Sequence, residues 1–364
     1  MRRRTFLKSA PAAAMAASQS AGAAAGDGIR LGLDSYSIRN LGWKMTKLLD
    51  YTASHKLDAI QISSLDEYES LEPAHLRQVK DQAVRLGIQI DGGIGCICPS
   101  AAAWSPKFGE PGQYVLTGLK VAKAVGATSM RCYLGGAAER RSAIPIEGHM
   151  ENTIKVLRGV RSQALDTGVK VAIENHNGDL TAREVKTMID EVGKDLLASN
   201  LDTGNPMWLL EDPMLTLEVL GPHVVTTHIR DSALYEHPRG AAFQWVALGD
   251  GTIDFPRLVA QFKKSCPQAA MQLEIITGRP PQILPYLEPD FWKAFPKLPA
   301  SDFARFLALA KRGRPYSGPM VIAGTGRQPP EYEAALTLQQ LLDLERSLEY
   351  AKKTLGVGVR WKQG

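Results

Sequence analysis

The sequence predicts a single (β/α)8 TIM barrel, preceded by a short leader and interrupted near its end by one long Pro-rich insertion. Three observations carry that expectation. Eight short apolar strands alternate with amphipathic helical stretches, which is how a parallel sheet wrapped in helices is written. Acidic or imidazole side chains stand at the ends of the later strands, where a barrel keeps its active-site face. The first strand is followed by Tyr-Ser-Ile-Arg-Asn-Leu-Gly and not by a Gly-rich phosphate turn, which disfavours a doubly wound dinucleotide fold.

The chain has 364 residues, 44% hydrophobic and 22% charged, an ordinary globular composition with room for one large α/β domain. Its first 25 residues read as an address. Arg3-Arg4-Thr5-Phe6-Leu7-Lys8 resembles the twin-arginine export signal, and an uncharged Ala-rich segment from Ser9 to Ala25 follows. Cleavage after Ala23 or Ala25 would leave a domain of residues 26–364 in the periplasm. That route carries folded proteins, so the export machinery is an expected partner and a cofactor loaded before export would suit it. No Cys lies near the cleavage region, so no lipid anchor is expected, and no apolar run reaches the ~18 residues needed to span a bilayer. Arg2, Arg3, Arg4 and Lys8 account for all but one of the formal +5 charge. A nearly neutral mature chain argues against a nucleic-acid partner.

Strands are expected at about Ile29–Ser35, Leu57–Ser63, Ile88–Gly93, Ser129–Leu134, Lys170–Asn175, Asn200–Asp202, Val224–Ile229 and Met271–Ile275. Helices are expected between them at about Lys44–His55, Pro73–Leu86, Gln113–Val125, Ile146–Asp166, Thr181–Val192, Pro213–Leu220 and Asp254–Ser265, several opened by Pro, Thr or Asp. A long final helix follows at roughly Ala334–Leu355. Thr277–Tyr332 breaks the repeat, with prolines at 280, 281, 285, 289, 296, 299, 315, 319, 329 and 330. Its aromatics Tyr286, Phe291, Trp292 and Phe295 need packing partners, and Ser301–Lys311 reads as a short helix, so an ordered insertion edging the catalytic face is expected.

The strand ends then define a site. Ala172, Glu174 and His176 share one face of the fifth strand by alternation. The matching position is Asp202 on the sixth strand, His228 on the seventh and Glu274 on the eighth. Three carboxylates converging on one point repel one another unless a cation neutralises them. Oxygen donors and one imidazole suit Mn2+, Co2+, Mg2+ or Zn2+, and the absence of thiolate ligands argues against a closed structural zinc site.

Together with the flanking pieces ENH, DTGNP, HIRD and LE, these residues resemble the sugar phosphate isomerase/epimerase family, whose fold is the xylose isomerase-like TIM barrel. The resemblance covers essentially the whole mature chain and is concentrated in its second half. It implies one divalent metal ion held by Glu174, Asp202, His228 and Glu274, a small carbohydrate lying across it, and Glu174 and Glu274 reaching opposite faces of the sugar as the catalytic pair. A metal that polarises a carbonyl makes the neighbouring proton removable through an enediolate. Return of the proton to the opposite face gives an epimerase, return to the neighbouring carbon an isomerase, and departure of a β-leaving group a lyase or hydratase acting on a keto sugar. Two departures from the family stand out: Asn205 replaces a substrate-binding His, which weakens phosphate binding, and Gln61 replaces a Glu.

His176, Asn205 and Arg230 are candidate substrate contacts, and Asp231 is expected to orient His228 from outside the ligand set. His55, His75, His149, His223 and His237 are expected at the surface. The four cysteines, Cys96, Cys98, Cys132 and Cys266, make no disulfide framework; a Cys98–Cys132 bridge is conceivable, and free thiols are the expectation. A homo-oligomer is left open. Two other functions share the fold, an endonuclease IV-like enzyme on abasic DNA and a carbohydrate-binding barrel without turnover. The first calls for more His and more positive charge, and the second has no use for two opposed glutamates.

Overall fold

A computed structural model of the protein describes residues 28–363, so the expected leader lies outside the described residues. Eight parallel strands form the barrel: β1 (Leu31–Asp34), β2 (Ala59–Gln61), β3 (Gln89–Cys96), β4 (Ser129–Tyr133), β5 (Lys170–Glu174), β6 (Leu197–Asp202), β7 (Val224–His228) and, after a hairpin described below, β10 (Met271–Leu273). All eight expected strands are present and in sequence order around the sheet. Strand β10 pairs with β1, and a single parallel bridge, Ile229 to Leu273, links it to the chain leaving β7, so the ring comes round to its start.

The outer layer is α1 (Met45–Ser54), α2 (Pro73–Leu86), α3 (Pro111–Ala124), α4 (Ile146–Gly159), α5 (Arg161–Thr167), α6 (Ala182–Val192), α7 (Pro213–Leu220) and α8 (Phe255–Ser265). Local chemistry sets several of these boundaries. Thr181 and Glu184 form a reciprocal capping box at the start of α6, Asp212 and Asp254 cap α7 and α8, and Pro occupies the first turn of α2, α3, α7 and α8. The stretch expected as one helix from Ile146 to Asp166 breaks at Val160, whose φ of −109° and ψ of 7° are not helical. An apolar face continuous through the break hides it from periodicity.

Between helices and strands the core is apolar, but the inside of the barrel is not. Gln61 donates to Asn200 (2.9 Å) and Thr226 (2.6 Å), while Asp91 accepts from Ser129 (3.2 Å), Thr226 (3.0 Å) and Gln272 (2.9 Å). Each of these six residues is buried. Gly32 makes room for this layer, since a Cβ there would collide with the Gln272 amide and the Ala59 carbonyl. Hydrogen-bonding of buried polar groups to one another offsets their desolvation and ties together six strands.

The chain leaving β7 builds a hairpin that periodicity alone had not separated, β8 (Asp231–His237) and β9 (Gly240–Val246). The insertion adds β11 (Gln282–Leu284) antiparallel to β9, giving a three-stranded sheet beside the barrel mouth. It then forms α9 (Ala300–Ala310), tied back by Arg183–Asp302 and by Arg305 to Asp212 and Glu218. Tyr286, Phe291, Trp292, Phe295, Phe303 and Phe306 pack on one another edge-to-face or stacked, which is where the insertion's aromatics are satisfied. The final helix, α10 (Pro330–Lys353), lies against the 3-10 turn that follows β1. No helix among the described residues is long and apolar enough to cross a membrane.

Candidate metal centre and substrate cavity

Glu174 ends β5, Asp202 ends β6, His228 ends β7, and Glu274 follows β10 by one residue. Asp202 and His228 are direct register partners, so adjacent strands deliver neighbouring ligand atoms. Four donor atoms, one from each residue, lie within 4.8 Å of one another, and all four residues are buried. The Nδ1 of His228 is 3.2 Å from Glu174, 3.4 Å from Glu274 and 3.9 Å from Asp202, while Nε2 faces Asp34 at 3.4 Å.

The electrostatics show how strongly this cluster is biased. Burial works against ionised Glu174, but Arg131 and then His228 and His176 outweigh it and hold the carboxyl well below the usual range. Arg131 makes that contact at 2.5 Å, and Asn205 donates to the other Glu174 oxygen at 3.1 Å. Burial pushes Glu274 up to about 7 against the pull of Arg230, and raises Asp202 as well. His228, despite burial, is held well above an ordinary imidazole by Glu274, Glu174 and Asp34. Asp202 accepts from the backbone of Gly204 (2.6 Å) and Asn205 (2.7 Å) and pairs with Arg230, whose aliphatic stem lies where a Cβ on Gly204 would sit.

Neither His228 nitrogen has a well-formed hydrogen bond, and Glu274 Oε2 is 3.0 Å from Arg230 without one. Buried donors and acceptors left this way are rare and call for an occupant. Three carboxylates, one imidazole and no thiolate match a hard or borderline divalent ion, so the residues present fit a metal.

Above the cluster opens a cavity of about 780 Å3. Its walls include Trp43, Tyr133, Trp208 and Trp245, with Arg230 lying 4.4 Å over the Trp245 ring and Tyr133 stacked on His176 at 3.9 Å. The insertion contributes Arg279, Pro280 and Gln282. Burial lowers His176 to about 4, so the ring is neutral; its Nδ1 donates to the Gly135 carbonyl and its Nε2 is left as an acceptor.

Every expected ligand is thus brought to one point, and His176, Asn205 and Arg230 stand around it. Two expectations fail. Asp231 does not reach His228; it accepts from the backbone of Ser232, Gly249, Gly251 and Ile253 and anchors the loop after β9. Place in sequence beside HIR suggested otherwise, but the chain turns into β8 at that residue. His149 is not at the surface. It is buried, with Nδ1 2.8 Å from Ser100 and Nε2 2.9 Å from Ser142, because α4 turns it inward. All four cysteines are buried and free.

Reasoning on sequence missed Asp34, Arg131 and Glu67. A lone Arg in SMRCY and an Asp closing LGLD were available signals, since a charge inside an apolar strand demands a partner. Glu67 had none. It lines the cavity with one oxygen buried and unpartnered, and burial, reinforced by Asp34, pushes it up to about 8.

Residues 49–289 match the profile of the xylose isomerase-like TIM barrel family. The chain belongs to that family. It is 24% identical over 216 residues to the 3-oxo-isoapionate decarboxylase of Pectobacterium atrosepticum, an alignment covering 59% of this chain and 71% of that protein. Among solved structures, it resembles D-psicose 3-epimerase determined in the presence of D-fructose, with 16% identity, a TM-score of 0.57, and coverage of 90% of this chain and 100% of that one. It also resembles the 3-keto-D-glucoside 4-epimerase YcjR of E. coli, with 16% identity, a TM-score of 0.53, and coverage of 77% and 98%. At these identities the structural likenesses establish the fold.

Proposed function

We propose that this chain is a divalent-metal-dependent carbohydrate isomerase or epimerase that removes a proton beside a carbonyl. One observation carries the reading: Glu174 and Glu274 approach the same nitrogen of His228 at 3.2 and 3.4 Å, at the floor of a cavity large enough for a sugar. In this reading Glu174, Asp202 and Glu274 would hold the ion with Nδ1 of His228, and Asp34, 3.4 Å from Nε2, would favour the tautomer that carries its proton there. A bound divalent ion would polarise the substrate carbonyl and stabilise negative charge developing on its oxygen.

The protein's own groups move the proton. Glu174, kept ionised by Arg131, is the base. Glu274, on the other side of His228, returns a proton to the other face. Neutral His176 accepts from a hydroxyl, Asn205 and Arg230 orient the substrate, and Trp208 with Trp245 shields it from water. The similarity to a decarboxylase supports a second outcome at the same site, a lyase in which the enediolate expels a β-leaving group, or in which a β-keto acid loses CO2 and the electrons of that C–C bond, in place of a C–H bond, pass into the enediolate, which is then protonated. We propose further that residues 1–25 send the chain through the twin-arginine route to the periplasm, which favours a free sugar or glycoside over a sugar phosphate; Lys in place of Arg3 and Arg4 should keep the chain in the cytoplasm.

Incubation of the metal-loaded protein with ketoses and 3-keto sugars in D2O tests the chemistry. Deuterium on a sugar carbon, with the product identified by NMR, supports proton abstraction and separates isomer, epimer and elimination. Full exchange by Glu174→Gln would rule out the assigned base.

A further inference from the structure

The cavity carries more positive charge than the metal cluster uses. Arg131 is paired with Glu174, and Arg230 with Asp202 and Glu274. Lys44 donates to the Asp66 carbonyl, and the Asp66 carboxylate is taken by Lys107. Arg39 and Arg279 differ. Neither has a carboxylate within ion-pair distance among the described residues. Arg39 donates only to the Tyr36 carbonyl (2.9 Å), with its guanidinium 4.3 Å over the Tyr36 ring; the Arg279 side chain makes no hydrogen bond.

Both arginines line the main cavity and also an adjoining one of about 260 Å3, whose wall includes Gln328, Glu333, Gln339 and Gln340. They therefore stand on wall shared by the two. They are also close enough to act on one another electrically: burial lowers Arg39, Arg279 and Arg230 lower it further, and Tyr36 and Glu274 oppose the fall. Two guanidiniums that share this wall without an acidic partner leave positive charge there that an anion would neutralise. The fold has gone to some length to place them there. Arg39 comes from the 3-10 turn after β1, and Arg279 from the first residues of the insertion, two segments 240 positions apart held together by the Asn40 backbone N–H bonding to Gln340 of α10 (3.1 Å) and the Ala323 N–H bonding to the Gly278 carbonyl (2.7 Å).

We infer that Arg39 and Arg279 form a subsite for a carboxylate on the substrate, so that the sugar turned over at the metal centre is an acidic one, an aldonate or uronate or its keto form. This rests on the function proposed above. Guanidinium forks match carboxylate geometry through paired hydrogen bonds, and the site reads charge at one end of the sugar while Glu174 and Glu274 work at the other.

Calorimetric titration of the metal-loaded protein with D-glucuronate, D-galacturonate and D-gluconate, alongside D-glucose, D-fructose and inorganic phosphate, tests it. At least one sugar acid should bind ten-fold or more tighter than either neutral sugar. That advantage should fall by roughly ten- to hundred-fold in Arg39→Gln and in Arg279→Gln, in line with the loss of a charge-assisted hydrogen bond. Both side chains are partly or fully exposed, and unchanged circular dichroism would confirm folding. Neutral sugars binding as well as every acid, a preference that survives the double variant, or phosphate outcompeting all the acids would each overturn the carboxylate subsite. Deuterium exchange into keto acids at undiminished rate and apparent KM in the double variant would sink the subsite and leave the proton-transfer chemistry standing; no exchange into any sugar, acid or neutral, would sink that chemistry itself.

Discussion

Stripping the metal should lower the melting temperature by an amount that depends on Asp202 and His228. An ion that binds only the folded state at a hundred times its Kd stabilises it by about 2.7 kcal/mol. Unfolding entropy near 2.1 cal/mol/K per residue, over the described residues 28–363, gives about 0.7 kcal/mol/K, so Tm should rise by about 4 °C on loading. Asp202→Asn removes a donor and takes from Arg230 one of its two charged partners, all of them buried. Breaking a buried pair costs about 3–5 kcal/mol, so this variant should melt some 4–7 °C lower even without metal. The informative quantity is therefore the loaded-minus-chelated difference within each protein, by calorimetry with Mn2+, Co2+, Mg2+ and Zn2+ in turn. It should shrink to about 1 °C or less in Asp202→Asn and His228→Ala. Equal increments in wild type and both variants, or none in wild type with any of the four ions, would refute the ligand assignment. The increment should also grow with pH. A ligand must be deprotonated to bind, His228 holds its proton well above the ordinary imidazole range, and Glu274 titrates at about 7, so protons compete below neutrality and binding releases them.

Three other outcomes follow from residues already placed. His149→Ala leaves Ser100 and Ser142 without their buried partner and should destabilise the fold by about 2–3 kcal/mol, near 3–4 °C in Tm, with turnover per folded molecule unchanged. Glu67 sits at about 8 in the fold against an ordinary 4.5, so between those values the unfolded chain has lost a proton that the folded one retains, and stability falls as pH rises; Glu67→Gln should flatten that slope in denaturant titrations at pH 5 and 8. The four thiols should react with a thiol reagent only after unfolding, and added reductant should leave Tm unchanged, because all are buried and unpaired.

The barrel was legible because short strands carrying apolar residues alternate eight times with amphipathic helical stretches. Glu174, Asp202, His228 and Glu274 were legible for the opposite reason: each is a polar group where an apolar run should end. Arg131 obeys the same logic from mid-strand and was missed only because its partner lies on the next strand. Asp231 shows the limit. Its neighbour Arg230 turns into the site while Asp231 caps a loop, a difference made by hairpin geometry that no spacing encodes. Glu67, Arg39 and Arg279 come from turns and the insertion, where side-chain direction depends on tertiary packing, so composition gave no hint of their convergence.

The seam between β7 and β10 has one further consequence. Elsewhere neighbouring strands share several rungs, but here the ladder is the Ile229–Leu273 bridge, eked out by the Thr227 hydroxyl, which donates to the Ala270 carbonyl and accepts from Gln272 N–H. His228 and Glu274 lie on the two sides of that join. A cation held by both would act as a clasp across the last gap to close, so loss of the ion would show first as faster amide exchange at Ile229 and Glu274, with the opposite side of the ring left undisturbed.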